Sequence, residues 1–212
     1  YVVDEQFVNI GGKRKYRVTI HDIFYKTPKS EQIMTKRSKR KIKKFISDIT
    51  KNQPKISITT DGLPIYKKIA DELGFIHQKC IFHQFKDMHD KILKEIKKNK
   101  YTTIEKIETC RILTELKNVF RTYNEEESLK RFETLLNKSE QFIKVLRTYI
   151  HKKIIPDFQR LTNYTRNNFI PRTSNKAEQW YSNSTKHQNK KKYKTTQGLL
   201  EYLALKMTKN QL

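Results

Sequence analysis

Asp4 stands in a run of apolar and β-branched residues, with Tyr1, Val2 and Val3 before it and Phe7 and Val8 after it. A carboxylate buried in such a strand is costly unless a cation or hydrogen-bond donors meet it, so the position asks for a partner. Side chains alternate across a strand, so Asp4 and Glu5 face opposite ways and only one of them serves a given site. Asp61 closes a second β-branched run, Lys55 to Thr60, and is followed by Gly62. That is where α/β sheets present functional groups beyond the carboxyl ends of their strands; the alternative is ordinary Asp-Gly turn chemistry. Glu178 lies on a segment that Thr173 or Ser174 caps, and alone it reads as one more solvated helix glutamate. As a set, three carboxylates offer the oxygen donors that hard divalent ions such as Mg²⁺ need. Two such ions about 4 Å apart activate an attacking oxygen and stabilise a leaving one at a phosphodiester.

The acids sit on a strongly basic chain. Over 212 residues, 46 Lys and Arg against 22 Asp and Glu leave a net charge of +24, a positive potential that attracts polyanions and releases their counterions. Nucleic acid is the first partner this implies, ahead of an acidic lipid surface or a merely soluble basic one. Lys and Arg would hold the phosphate backbone while the carboxylates recruit ions. No run of about 18 apolar residues and no signal peptide is visible, which points to an intracellular protein: cytoplasm or nucleoid in a prokaryote, nucleus in a eukaryote. Cys80 and Cys110 form neither a disulfide framework nor a paired zinc pattern. The chain opens in mid-strand, so a recognition domain outside it is expected.

The elements that must position these residues are readable from pattern. Residues 1–10 and 14–23 flank Gly11-Gly12 and predict an antiparallel hairpin, and a shorter strand is expected near Ser30 to Met34. Ile42, Phe45, Ile46 and Ile49 make an amphipathic helical stripe after Lys36. A strand to Thr60, a helix from Leu63 to Leu73 stopped by Gly74, and a short strand from Phe75 to Cys80 follow. This order predicts an α/β mixed sheet with crossover helices. From Ile81 to about Thr165 the pattern is helical, with Asn124 capping Glu125-Glu126-Glu127 and Ser139 starting a segment that runs to Pro156. The helix bearing Glu178 and a last one from about Thr196 to Lys209, with Leu199, Leu200, Leu203 and Met207 inward, complete the chain.

Four stretches in this order, Val3-Asp4-Glu5-Gln6 before a Gly-Gly hairpin, Thr60-Asp61-Gly62, Cys80-Ile81-Phe82-His83, and Thr173 to Glu178, resemble the DDE transposases. The likeness is greatest to Mutator-like transposases and their prokaryotic insertion-sequence relatives. In that family the first acid lies on the first strand and the second ends the fourth. A Cys-x-x-His pair follows, and the last acid sits on a helix beyond a mostly helical insertion. The resemblance implies an α/β, RNase H-like mixed sheet flanked by helices, with an all-helical insertion between the second and third acids. Residues 1–80 would form the first part of the core, 81–165 the insertion and 166–212 the helices completing the core. It further implies that Asp4, Asp61 and Glu178 are catalytic and bind two Mg²⁺ or Mn²⁺ ions, that transposon ends and target DNA are substrates, and that the protein works as a homo-oligomer on DNA. Water first cleaves at the element's end and the freed 3′-hydroxyl then attacks the target. A non-catalytic, domesticated or decayed relative that only binds DNA, and a nuclease of the same fold, are the alternatives.

Cys80 and His83 match the family's pair, but two residues do not complete a four-ligand zinc site. A structural or phosphate-proximal role is favoured over metal binding. Trp180 and Tyr181 are candidates for stacking on an unpaired base, with core packing as the alternative. Lys186, Lys190, Lys191, Lys192 and Lys194 form a basic run without an apolar face and are expected to meet phosphates, or else to be a solvated loop.

Overall fold

Gly11 and Gly12 have φ of 57° and 75°, the two left-handed positions that a two-residue type I′ hairpin demands. On either side β1 (Val2–Ile10) and β2 (Lys13–Asp22) pair antiparallel, with Asp4 opposite Thr19. The computed structural model, which describes residues 1–185 and 193–209, continues into β3 (Thr27–Met34), antiparallel to β2. This strand starts earlier than its pattern suggests. Asp22 Oδ1 accepts hydrogen bonds from the backbone N–H of Phe24 and Tyr25 and Lys26 takes a φ of 56°, so the turn is complete before Thr27. Pro28 is tolerated there because β3 is an edge strand.

The chain then forms α1 (Lys39–Ile49), β4 (Ser57–Thr60), α2 (Pro64–Leu73) and β5 (Ile76–Lys79). Pro64 opens α2 and Gly74, at φ 78°, closes it, the usual division of labour between these residues at helix ends. β4 lies parallel to β1, Val2 beside Thr59, and the five strands follow the order β3-β2-β1-β4-β5. The sheet is therefore mixed, as its element order predicts. One face packs Val3, Val18, Ile20 and Ile58 against Ile42 and Ile46 of α1 and Ile69 of α2. Burying each such side chain is worth about 1.5–3 kcal/mol.

Two compact units make up the chain: Tyr1–His77 with Thr173–Leu212, and Gln78–Arg172. The second contains α3 (Ile81–Lys98), α4 (Thr103–Val119), α5 (Glu125–Leu136), α6 (Lys144–Tyr149) and α7 (Phe158–Thr162) around its own core of Met88, Ile112, Leu116, Phe132, Leu146 and Tyr164. Asn124 caps α5 through its side chain, accepting from Glu127 N. The expected helix up to Pro156 is broken instead into α6, a π-helical segment Ile150–Ile154 and a 3-10 turn. The first unit resumes with α8 (Asn175–Ser184), preceded by Ser174, and α9 (Thr196–Lys209). Leu199 and Leu203 of α9 join Val8, Ile10 and Ile33 in a small cluster on the sheet. Among the described residues no helix is long and apolar enough to cross a membrane.

Candidate metal centre

Strand register builds the site. Asp4 is opposite Thr19 and Thr19 is opposite Glu31; opposed residues share a face, so the three form one row across β1, β2 and β3. Gln6 and Arg17 are likewise opposed and begin the next row on that face. The alternate residue Glu5 points the other way, where Tyr66 donates its hydroxyl to Oε1 at 2.6 Å and Arg37 Nε donates to Oε2 at 2.8 Å. The expected division between Asp4 and Glu5 is thus observed, and each acid has its own surroundings.

Helix α8 lies over the polar row. Ala177, Trp180, Tyr181 and Ser184 are its buried residues, an i, i+3, i+4, i+7 stripe, and Glu178 is half-buried beside them. Tyr181 donates its hydroxyl to the Asp4 carbonyl at 2.6 Å. Asp4 is only 6% exposed, and Asp4 and Glu178 each present a carboxylate oxygen within 4.8 Å of the other. Two carboxylate oxygens so close offer a hard cation an all-oxygen donor pair, of the kind that suits Mg²⁺ or Mn²⁺. The residues fit the ion their family resemblance implies.

Asp61 follows β4 directly. Val2 is level with Thr59 on the parallel neighbouring strand, and Asp61 follows Thr59 by two residues, as Asp4 follows Val2. Asp61 Oδ1 accepts from Leu63 N at 3.1 Å and Gly62 takes a φ of 85°, so turn chemistry is present at this residue. Asp61 stands outside the grouping in which Asp4 and Glu178 meet. Its charge is nevertheless felt nearby: burial, then Glu5, then Asp61 hold the Tyr66 hydroxyl well above the usual tyrosine range. Burial and the Asp4 charge do the same to Tyr181.

The remaining candidates fall as follows. Trp180 and Tyr181 are 4% and 5% exposed, with Trp180 Nε1 donating to Glu31 Oε1 at 2.8 Å. Both side chains are buried in α8's stripe, which accords with core packing, the alternative to base stacking. Cys80 is buried ahead of α3 and His83 is half-buried on that helix, its ring edge-on to Phe82 at 5.8 Å; both belong to the second unit. Lys194 is exposed next to Tyr193, whose carbonyl accepts from Gly11 N. Lys186, Lys190, Lys191 and Lys192 lie outside the described residues. Sequence reasoning passed over Arg17, Glu31 and Gln6. The signal was the alternation Arg17-Val18-Thr19-Ile20, which puts two polar groups on one strand face, but nothing local says that this face is buried.

No family model matches the chain. It is 37% identical over 207 residues to an uncharacterized 48.3 kDa protein of insertion element ISM1 from Methanobrevibacter smithii. The similarity covers 98% of this chain and 52% of that protein, so the chain spans about half the length of the relative it matches.

Proposed function

We propose that this chain is the metal-dependent catalytic core of a DDE-type DNA transposase with an RNase H-like sheet. The observation that carries the reading is the approach of the buried Asp4 and the α8 residue Glu178 to within 4.8 Å. The five-stranded mixed sheet with flanking helices is compatible with that fold. The insertion-element origin of a 37% identical relative favours transposition over other polynucleotide chemistry, and the +24 charge favours DNA as partner.

In this reading Asp4, Asp61 and Glu178 hold two divalent ions, which when bound neutralise charge on phosphorus-bound oxygens and sharpen the attacking oxygen. Cleavage forms a bond between a water oxygen and phosphorus and releases the element's 3′-hydroxyl as its bond to phosphorus breaks. Strand transfer forms a bond between that 3′ oxygen and a target phosphorus, and the target's own 3′ oxygen leaves with a proton. The part of the protein is positioning. Asp4 is fixed by its strand and by the backbone N–H of Glu5, which donates to Oδ1 at 2.8 Å. Glu178 is carried by a helix fastened to that same strand through Tyr181.

The test is Glu178→Gln with a labelled element-end duplex and target DNA in Mg²⁺. The parent should yield nicked and joined products and the variant neither, with metal-free DNA binding retained in both. Equal product from the variant would sink the assignment; nicked product without joining in the parent would favour the nuclease alternative.

A further inference from the structure

Arg17 is fully buried, in the middle of β2. Its Nε and Nη2 donate to Glu31 Oε1 at 2.9 and 2.6 Å. Nη1 donates to Thr185 Oγ1 at 3.1 Å and Gln6 Oε1 at 3.3 Å, and Nη2 to Ser184 Oγ at 2.9 Å. The Glu31 side chain is 2% exposed, and its Oε1 also accepts from Thr19 Oγ1 at 2.7 Å and from Trp180 Nε1 at 2.8 Å. Glu31 Oε2 is buried and has no hydrogen-bond partner among the described residues.

Stability alone does not explain this arrangement. Desolvating two charges is expensive, and apolar residues of similar volume commonly replace a buried ion pair without loss; an orphaned carboxylate oxygen adds to that cost. What the pair does have is location. It joins β1, two residues from Asp4, to two points on α8: Trp180, two residues past Glu178, and the Ser184–Thr185 end one turn later. A cation also suits a helix C-terminus. Two fixed points determine both the rotation of a helix and its position along its axis. α8 has ten residues, short of the ~12–15 at which an isolated helix holds together, so its seating depends on such contacts.

We propose that the buried Arg17–Glu31 pair is a positioning device that seats α8 so that Glu178 meets Asp4 at cation-binding distance. The proposal rests on the metal reading of the site. Arg17 and Glu31 touch no reacting atom; they act through the helix.

Two readouts on the whole chain test it: Mn²⁺ affinity from the electron paramagnetic resonance of free Mn²⁺, and the emission of Trp180, the one tryptophan of the chain. Arg17→Lys keeps the charge but loses the planar fork; Glu31→Gln keeps the shape but loses the charge. Each should shift metal-free Trp180 emission and weaken Mn²⁺ binding about 10- to 100-fold, the range for residues that orient metal ligands. Asp157→Asn, which breaks the 2.7 Å pair with Lys79 in the other unit, should cost stability without changing either readout. Should the ion-pair variants fail to fold, Ser184→Ala and Thr185→Val each remove one of Arg17's acceptors at the helix end and should weaken Mn²⁺ binding by about threefold or more. Parent binding with variants within about twofold of it would overturn the positioning role alone. A parent that binds no Mn²⁺ would overturn the metal reading, and the role assigned to the pair with it.

Discussion

The Tyr181 hydroxyl donates a 2.6 Å hydrogen bond to the backbone carbonyl of Asp4, so the helix bearing one candidate ligand is fastened to the strand at the other ligand itself. Tyr181→Phe keeps the ring and removes this bond. The expected loss is about 1–2 kcal/mol by urea unfolding, together with weaker Mn²⁺ binding. Unchanged values in both would mean that α8 is held elsewhere.

Asp61 serves a turn and, on the proposed reading, a metal ion, and one substitution separates the two. Asp61→Asn keeps an acceptor for Leu63 N, the contact now made by Oδ1, while removing the negative charge. Stability should stay within about 0.5 kcal/mol of the parent, and Mg²⁺-dependent cleavage should be abolished. Cleavage at the parent's rate would assign Asp61 to the turn alone.

The +24 charge predicts DNA binding dominated by counterion release. With metal chelated, a plot of log affinity against log salt should fall with a slope steeper than about −3, each neutralised phosphate contributing about −0.9. A flat plot would remove DNA as the partner.

Asp157 gives a pH test in the second unit. Burial works to raise its carboxyl, but hydrogen bonds from Lys79 and Arg160 prevail and bring it below the ordinary range. A carboxyl lowered on folding contributes stability that is present above its unfolded value of about 3.9 and is lost as pH falls through the lower folded value. Burial lowers Lys79 from its ordinary value, yet a lysine remains protonated throughout that acid range. Urea midpoints followed from neutral pH into acid should therefore fall less steeply for Asp157→Asn than for the parent; parallel curves would show that the pair has no share in acid unfolding.

Much of the architecture was open to reading because it is written in local periodicity. The Gly11-Gly12 hairpin, the stop at Gly74, the Asn124 cap and the limits of α9 each depend on residues close in sequence. The start of β3 escaped because Pro28 masks an edge strand and the turn before it is closed by the Asp22 side chain. The polar partners of Trp180 and Tyr181 escaped for a different reason. The stripe of α8 that meets the sheet is Ala177, Trp180, Tyr181 and Ser184, and its polar atoms are satisfied by Asp4, Glu31 and Arg17, up to 177 residues away. Asp4 could be singled out because a carboxylate amid apolar neighbours violates a local expectation. Arg17 could not, since a strand arginine is ordinary until a helix covers it.

Glu5 has a part of its own, although it lies on the far side of the sheet from α8. Asp4 and Glu5 are adjacent acids that face opposite sides of the sheet, so sliding β1 by one residue would present Glu5 in place of Asp4 to Glu178. Tyr66 and Arg37 hold Glu5 from the opposite side. They act as a tie-breaker: the longer acid is claimed by an arginine and a phenol, so on the proposed reading the shorter one is left to the metal. A chain that loses either partner should still fold into the same strands, but with the choice between its two acids less firmly made.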